Sequence, residues 1–294
     1  MLRIIIFFRL KIIIMHKFFT FLLFLISITS YSQVGWTKSF EDAQKLAIAT
    51  DRLILVDFWA TWCGPCKKME SESWSDIEIG KMSQGYVPLK IDLDKRTALA
   101  MRYGVNAIPL LLVIDASGEL VYKQLGYMNK NQLSKVMKKY AVSTKFMRKE
   151  NLNYYKNQNY ATGLRLAQKY IDYSQYLQED IQAEFLGLAS NYLKNGEKLL
   201  DKKQGNYHNM KDKIELMEIQ IDLYQDKTNR VEKKLEKDFE LSNLSKGNKI
   251  LYTYLNYCIS LKSHDNKAID TWKKQLVSVD HSGAYLKKSE LFLE

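Results

Sequence analysis

Two of the chain's three cysteines stand three positions apart in the stretch VDFWATWCGPCKKME, residues 56–70. That spacing suits thiol-disulfide exchange. The species that attacks a disulfide is the thiolate, and unpaired N–H groups and the dipole at a helix N-terminus stabilise its charge. Cys63 stands where an apolar strand-like run gives way to a helix, so it is expected to attack. Cys66, nearly one turn on, is close enough to resolve a mixed disulfide by closing an intramolecular bond. Pro65 suits the first helical turn, where its missing N–H costs nothing, and Gly64 lets a substrate chain approach closely. Asp57 is an acid inside an apolar run. Desolvation should raise its pKa until it can exchange a proton near neutrality, as general base or acid for Cys66, directly or through water. The plainer alternative is an aspartate facing solvent at a strand edge.

Other uses of the pair fit less well. No second cysteine pair follows, and His208, His264 and His281 lie far along the chain, which argues against zinc. As a staple the pair would close too small a loop to stabilise much. Cys258, within LYTYLNYCISL, reads as a buried apolar filler, with a mixed-disulfide or dimer role as the alternative. No metal, nucleotide or other cofactor is expected, because electrons would arrive through another thiol.

The elements that must position these residues alternate between helix and strand from residue 34 to about 142. Ser39 reads as the N-cap of a helix ending near Thr50, and Leu53 to Trp59 as a central strand covered on both faces. A helix follows Cys63, a second lies near Asp76 to Ser83, and Tyr86 to Leu93 is a strand. Lys95 to Tyr103 is helical. Leu110 to Asp115 and Glu119 to Leu125 form a hairpin about Ala116-Ser117-Gly118, and Asn129 to Ala141 closes the unit as an amphipathic helix. The prediction is an α/β fold with a central mixed sheet and helices on both faces. Ile108-Pro109 precedes a strand, where a cis peptide would expose the Ile108 backbone to a bound peptide; an ordinary trans turn would read the same.

Three segments together, LILVDFWATWCGPCKKM, VNAIPLLLVIDASGEL and the glycine at 126, resemble the thioredoxin family. The resemblance covers about residues 34 to 142. It implies the thioredoxin fold, a nucleophilic Cys63, a resolving Cys66, a buried Asp57, a cis Pro109 beside the pair, and Trp62 as a surface aromatic preceding it. In the family a buried lysine partners the acid. Here the corresponding neighbourhood reads Val87-Pro88-Leu89-Lys90, which leaves open whether Lys90 takes that place or Asp57 goes without a charged partner. The long connection SESWSDIEIGKMSQGY resembles periplasmic thioredoxin-like modules more than small cytosolic members.

Beyond residue 142 glycine becomes scarce, proline vanishes, and tyrosine and lysine dominate segments of helical period. An all-helical region is expected over 143–294, its seven helices beginning near Thr144, Tyr160, Glu179, Met210, Arg230, Lys246 and Lys267. NQNYATGLRLAQKYI resembles half of a tetratricopeptide-type unit, although a plain bundle fits nearly as well. Its tyrosines read as packing, with a peptide-binding concave face as the alternative.

Residues 1–32 have the layout of a secretory signal: Arg3, Arg9, Lys11 and Lys17, an apolar core from Phe18 to Ile28, and Ser30-Tyr31-Ser32 before a cut at Gln33. Met15 is an alternative start to Met1. An uncleaved anchor is the competing reading, but Arg9 and Lys11 would cost about 2.5–3.5 kcal/mol each in a span. The segment has no cysteine for a lipid anchor. Four of the charges behind the net +11 sit in this leader and the rest are interleaved with acids, so nucleic acid is not an expected partner. The expected function is an exported thiol-disulfide oxidoreductase of the periplasm or envelope, more a reductase than an oxidase, exchanging disulfides with protein substrates and a redox partner. The alternative is an envelope scaffold whose helical region recruits a partner while the cysteine pair gates the contact.

Overall fold

The computed structural model describes residues 33–95 and 97–293; the expected leader lies outside them. Ser39 opens the first helix, α1 (Phe40–Thr50), by accepting the Asp42 N–H on its side chain, and α1 ends at Asp51 in the left-handed region. β1 (Ile54–Trp59) is buried almost throughout because it is an inner strand of the sheet, whose order is β2-β1-β3-β4. It pairs parallel with β2 (Val87–Asp92) and antiparallel with β3 (Leu110–Ile114), and β3 forms the expected hairpin with β4 (Leu120–Leu125). β2 tolerates Pro88 for a local reason. The Val87 N–H donates inward to the Leu53 carbonyl, so the missing donor of the next residue faces the outer edge. There Thr37 donates to the Pro88 carbonyl and accepts from the Lys90 N–H, which covers the edge.

After the cysteine turn, α2 (Gly64–Met69) continues into a π-helical turn, Glu70–Trp74, and then α3 (Ile77–Ser83), capped by Asp76. α4 (Thr97–Arg102) and α5 (Lys130–Tyr140) complete the layers, the latter with an Asn129–Gln132 capping box. Alternation along β1 separates two cores. Ile54, Val56 and Phe58 pack with Ala43, Ala47, Leu89 and Leu112 on one face. Leu55 points to the other, with Leu111, Val113 and Met69. Asp57 shares that second face by strand periodicity.

The rest of the chain is helical: α6 (Arg148–Lys156), α7 (Tyr160–Ser174), α8 (Glu179–Lys198), α9 (Tyr207–Tyr224), α10 (Thr228–Asp238), α11 (Lys246–Ser263), α12 (Asn266–Val279) and α13 (Ala284–Ser289). The sequence reading missed α13, whose six residues are too few to establish a helical period. α7 and α8 approach closely at Gly196, where a Cβ would lie 2.7 Å from Leu164 Cδ1. Among the described residues no helix is long and apolar enough to cross a membrane.

One apolar core continues from Leu55 and Val113 through Tyr170, Phe185 and Tyr192 into α11. Two buried acids fasten the joint. Asp51 takes two hydrogen bonds from the Arg148 guanidinium. Asp115, fully buried at the end of β3, accepts the Ser117 and Glu119 N–H groups at 2.9 Å each on one oxygen, and the Tyr170 and Tyr192 hydroxyls on the other. Ile54 pairs with Ile114, so both acids lie at the end of the sheet where β1 begins. The cysteines follow its other end, and the residues packed against them, Ala60, Trp59, Leu93 and Ile108, all precede the helical region.

Candidate active site

β1 delivers the chain to a tight turn in which the Cys63 N–H donates to the Ala60 carbonyl at 3.2 Å. Cys63 is the N-cap of α2, with extended backbone, and its Sγ accepts the Cys66 N–H at 3.1 Å. Helix N-terminal N–H groups have no partner within the helix, so the sulfur occupies an oxygen's usual capping place. Cys63 and Cys66 are joined as a disulfide with their Cα atoms 5.3 Å apart. Both are buried, and Ala60, Trp59, Leu93 and Ile108 pack against them. Pro65 lies in the first turn of α2. Nothing lies within 4 Å of where a Gly64 Cβ would be, so no packing inside the chain demands glycine there; open space over the pair does leave room for an incoming chain.

Trp62 is 64% exposed, its indole N–H donating to the Asp94 carboxylate. The Ile108-Pro109 peptide is cis, and the Pro109 carbonyl accepts the Gly126 N–H at 2.8 Å. The fold thus gathers Trp62, Cys63, Gly64, Pro65, Cys66 and Ile108, with its neighbour Pro109, at one end of the sheet. Asp57 lies beneath them, only 4% exposed. It shares with Cys66 the wall of a cavity of about 580 Å³, which Trp36, Trp59, Trp74 and Lys90 also line.

The open question of Asp57's partner is resolved by register. Asp57 is level with Lys90 in the parallel β1–β2 ladder. The Lys90 Nζ stands 3.9 Å from Asp57 Oδ2, near enough for Coulomb attraction but too far for a hydrogen bond. Its direct partner is the Glu70 carboxylate, and it also lies over the Trp36 and Trp59 rings, 5.3 and 5.0 Å from their centroids. Burial pushes the Asp57 carboxyl up to about 7; Lys90 pulls it down, and Glu70 pushes it up. Its burial inside the sheet rules out the solvent-facing alternative for Asp57. The sequence reading missed Glu70 and Trp36. The spacing of Glu70, four after Cys66, was a usable signal, since such residues share a helix face.

A stability test follows from Asp57. Between its ordinary value of 3.8 and about 7, the folded protein holds a proton that the unfolded chain has released. Stability therefore falls as pH rises through that window and levels off above it. Asp57→Asn removes the penalty: in urea unfolding at pH 8 the variant should exceed wild type by up to about 4 kcal/mol, and the gain should vanish at pH 3.5. A gain of equal size at both pH values would contradict a buried, uncharged carboxyl.

The thioredoxin-like domain family matches residues 40–141. Thioredoxin of Listeria monocytogenes is 36% identical over 103 residues, 35% of this chain and 97% of that protein. Thioredoxin-1 of Drosophila melanogaster is 43% identical over 77 residues, 26% of this chain and 70% of its own. Among solved structures, reduced Schistosoma mansoni thioredoxin is similar at 30% identity and TM-score 0.29, covering 35% of this chain and 94% of that one.

Proposed function

Because the chain belongs to the thioredoxin family and is a thiol-disulfide oxidoreductase, we propose that it works outside the cytoplasm, reducing disulfides of protein substrates through Cys63 and Cys66. The observation that carries this reading is the Cys63 sulfur capping α2, with Asp57 set beneath the resolving Cys66. The basic, apolar leader sequence at 1–32 supports export. Gly-Pro between the cysteines supports the reducing direction, for which thioredoxin itself, at about −270 mV, sets the scale.

The chemistry is a two-electron exchange. The Cys63 thiolate attacks one sulfur of a substrate disulfide, and the other leaves as a thiolate. The Cys66 thiol passes its proton to the Asp57 carboxylate and attacks the Cys63 sulfur. The second substrate sulfur leaves and receives a proton, and the Cys63–Cys66 disulfide remains. A dithiol partner protein returns the two electrons by the reverse exchange.

The reduction potential of the pair, measured against glutathione or dithiothreitol buffers, tests the direction. A value near −270 mV is expected, whereas one above about −180 mV, the range of isomerases and oxidants, would overturn the reductase assignment. Cys66→Ser should leave the attack intact and the resolution blocked, so mixed disulfides accumulate on Cys63 in cells and reverse with dithiothreitol. Recovery of non-covalent complexes alone, insensitive to Cys63, would favour the scaffold reading instead.

A further inference from the structure

Glu70 is the first residue of the π-helical turn, and its N–H donates to the Cys66 carbonyl, so it rides on the same helical stretch as the resolving cysteine. Its half-exposed carboxylate binds the Lys90 ammonium directly at the mouth of the cavity. That ammonium also rests against the two indole rings of Trp36 and Trp59. It thus stops 3.9 Å short of Asp57. A lysine with no competing carboxylate could close that gap to a charge-assisted hydrogen bond of about 2.8 Å, which would fix the acid in its ionised form.

We propose that Glu70 is a positioning residue that holds the Lys90 ammonium off the Asp57 carboxyl, leaving that carboxyl able to take and return the Cys66 proton. The inference rests on the reading above in which Asp57 serves Cys66. Charged groups face Asp57 from few directions. β2 brings Lys90, the π-turn brings Glu70, and α2 brings Cys66 with Lys67 at the cavity rim. β3 brings Leu111 opposite Asp57, and the 33–36 segment brings Gln33, Val34 and Trp36. Beyond Lys90, Asp92 and Lys95 pair with each other at 3.3 Å.

Removing the Glu70 charge acts on Asp57 twice, in one direction. A negative neighbour disappears, and the freed ammonium moves inward. The test follows the Asp57 carboxyl by carbon NMR against pH in the resting disulfide protein, with no substrate present. Glu70→Gln should lower its titration midpoint by about one pH unit or more, a tenfold change in proton affinity. Lys90→Met should raise the midpoint, and in that background Glu70→Gln should lose most of its effect, because the two residues act as a unit. The acid limb of the pH profile for insulin reduction should move down with the midpoint.

An unmoved or raised midpoint in Glu70→Gln overturns the proposal. So does a drop that persists undiminished without Lys90, since Glu70 would then act by its field alone. These titrations do not depend on turnover. A wild type that fails to reduce insulin sinks the reductase reading and leaves the midpoints to be judged separately, whereas normal turnover with an unmoved midpoint sinks only the role of Glu70.

Discussion

Cys63→Ser should lower dithiothreitol-driven insulin reduction by on the order of 10³-fold or more, to the rate of the reductant alone. A serine hydroxyl at this cap would still accept the Cys66 N–H that Cys63 Sγ accepts at 3.1 Å. It would not ionise near neutral pH, and it cannot form the sulfur–sulfur bond on which the exchange depends. The hydroxyl also fits the space of the larger sulfur, so unfolding midpoints compared under reducing conditions should stay close to wild type. Stability and activity therefore separate in this variant. Turnover within tenfold of wild type would show that Cys63 is not the attacking group and would remove the basis of the proposed function.

The cysteine turn was legible because everything that shapes it is local. Cys63, Gly64, Pro65 and Cys66 are consecutive, and the strand and helix around them follow from apolar run, cap and proline within a dozen residues. Asp57 was legible as an interruption of that run. Lys90 was legible only as one of two open alternatives, because its meaning depends on the register between β1 and β2, and a slip of one residue would send its side chain to the other face. Glu70 escaped notice for a related reason: it matters only through the ammonium that register brings to it. The elements change from mixed to helical near residue 142, yet composition gives no sign that one apolar core runs across that point. Tyr170 reads as one packing tyrosine among several, which its burial bears out, and nothing in the sequence singles out Tyr192. Their shared partner Asp115 reads only as the last residue of a strand before the hairpin turn.

Asp115→Ala should cost about 5 kcal/mol, the upper end of single-substitution effects. The carboxylate accepts four hydrogen bonds, two from the turn backbone at Ser117 and Glu119 and two from the hydroxyls of Tyr170 and Tyr192. Alanine would leave all four donors without that acceptor in a place closed to water. Unpaired buried donors cost about 1–3 kcal/mol each, with relaxation recovering part of the total. For a chain of this size the loss corresponds to a fall in melting temperature on the order of 10–20 °C. Tyr170→Phe and Tyr192→Phe remove one donor each and leave the acid partly satisfied, so each should cost about 1–2 kcal/mol. The variant also reports on how the two regions cooperate. Four of the five tryptophans (Trp36, Trp59, Trp62 and Trp74) precede residue 142, whereas most of the helix lies after it. Tryptophan fluorescence and far-ultraviolet circular dichroism should show one shared transition in wild type, because the core is continuous. In Asp115→Ala they should separate as the joint weakens. A loss under about 1 kcal/mol with coincident transitions would mean that the apolar contacts of Tyr170, Phe185 and Tyr192 hold the joint without the buried acid.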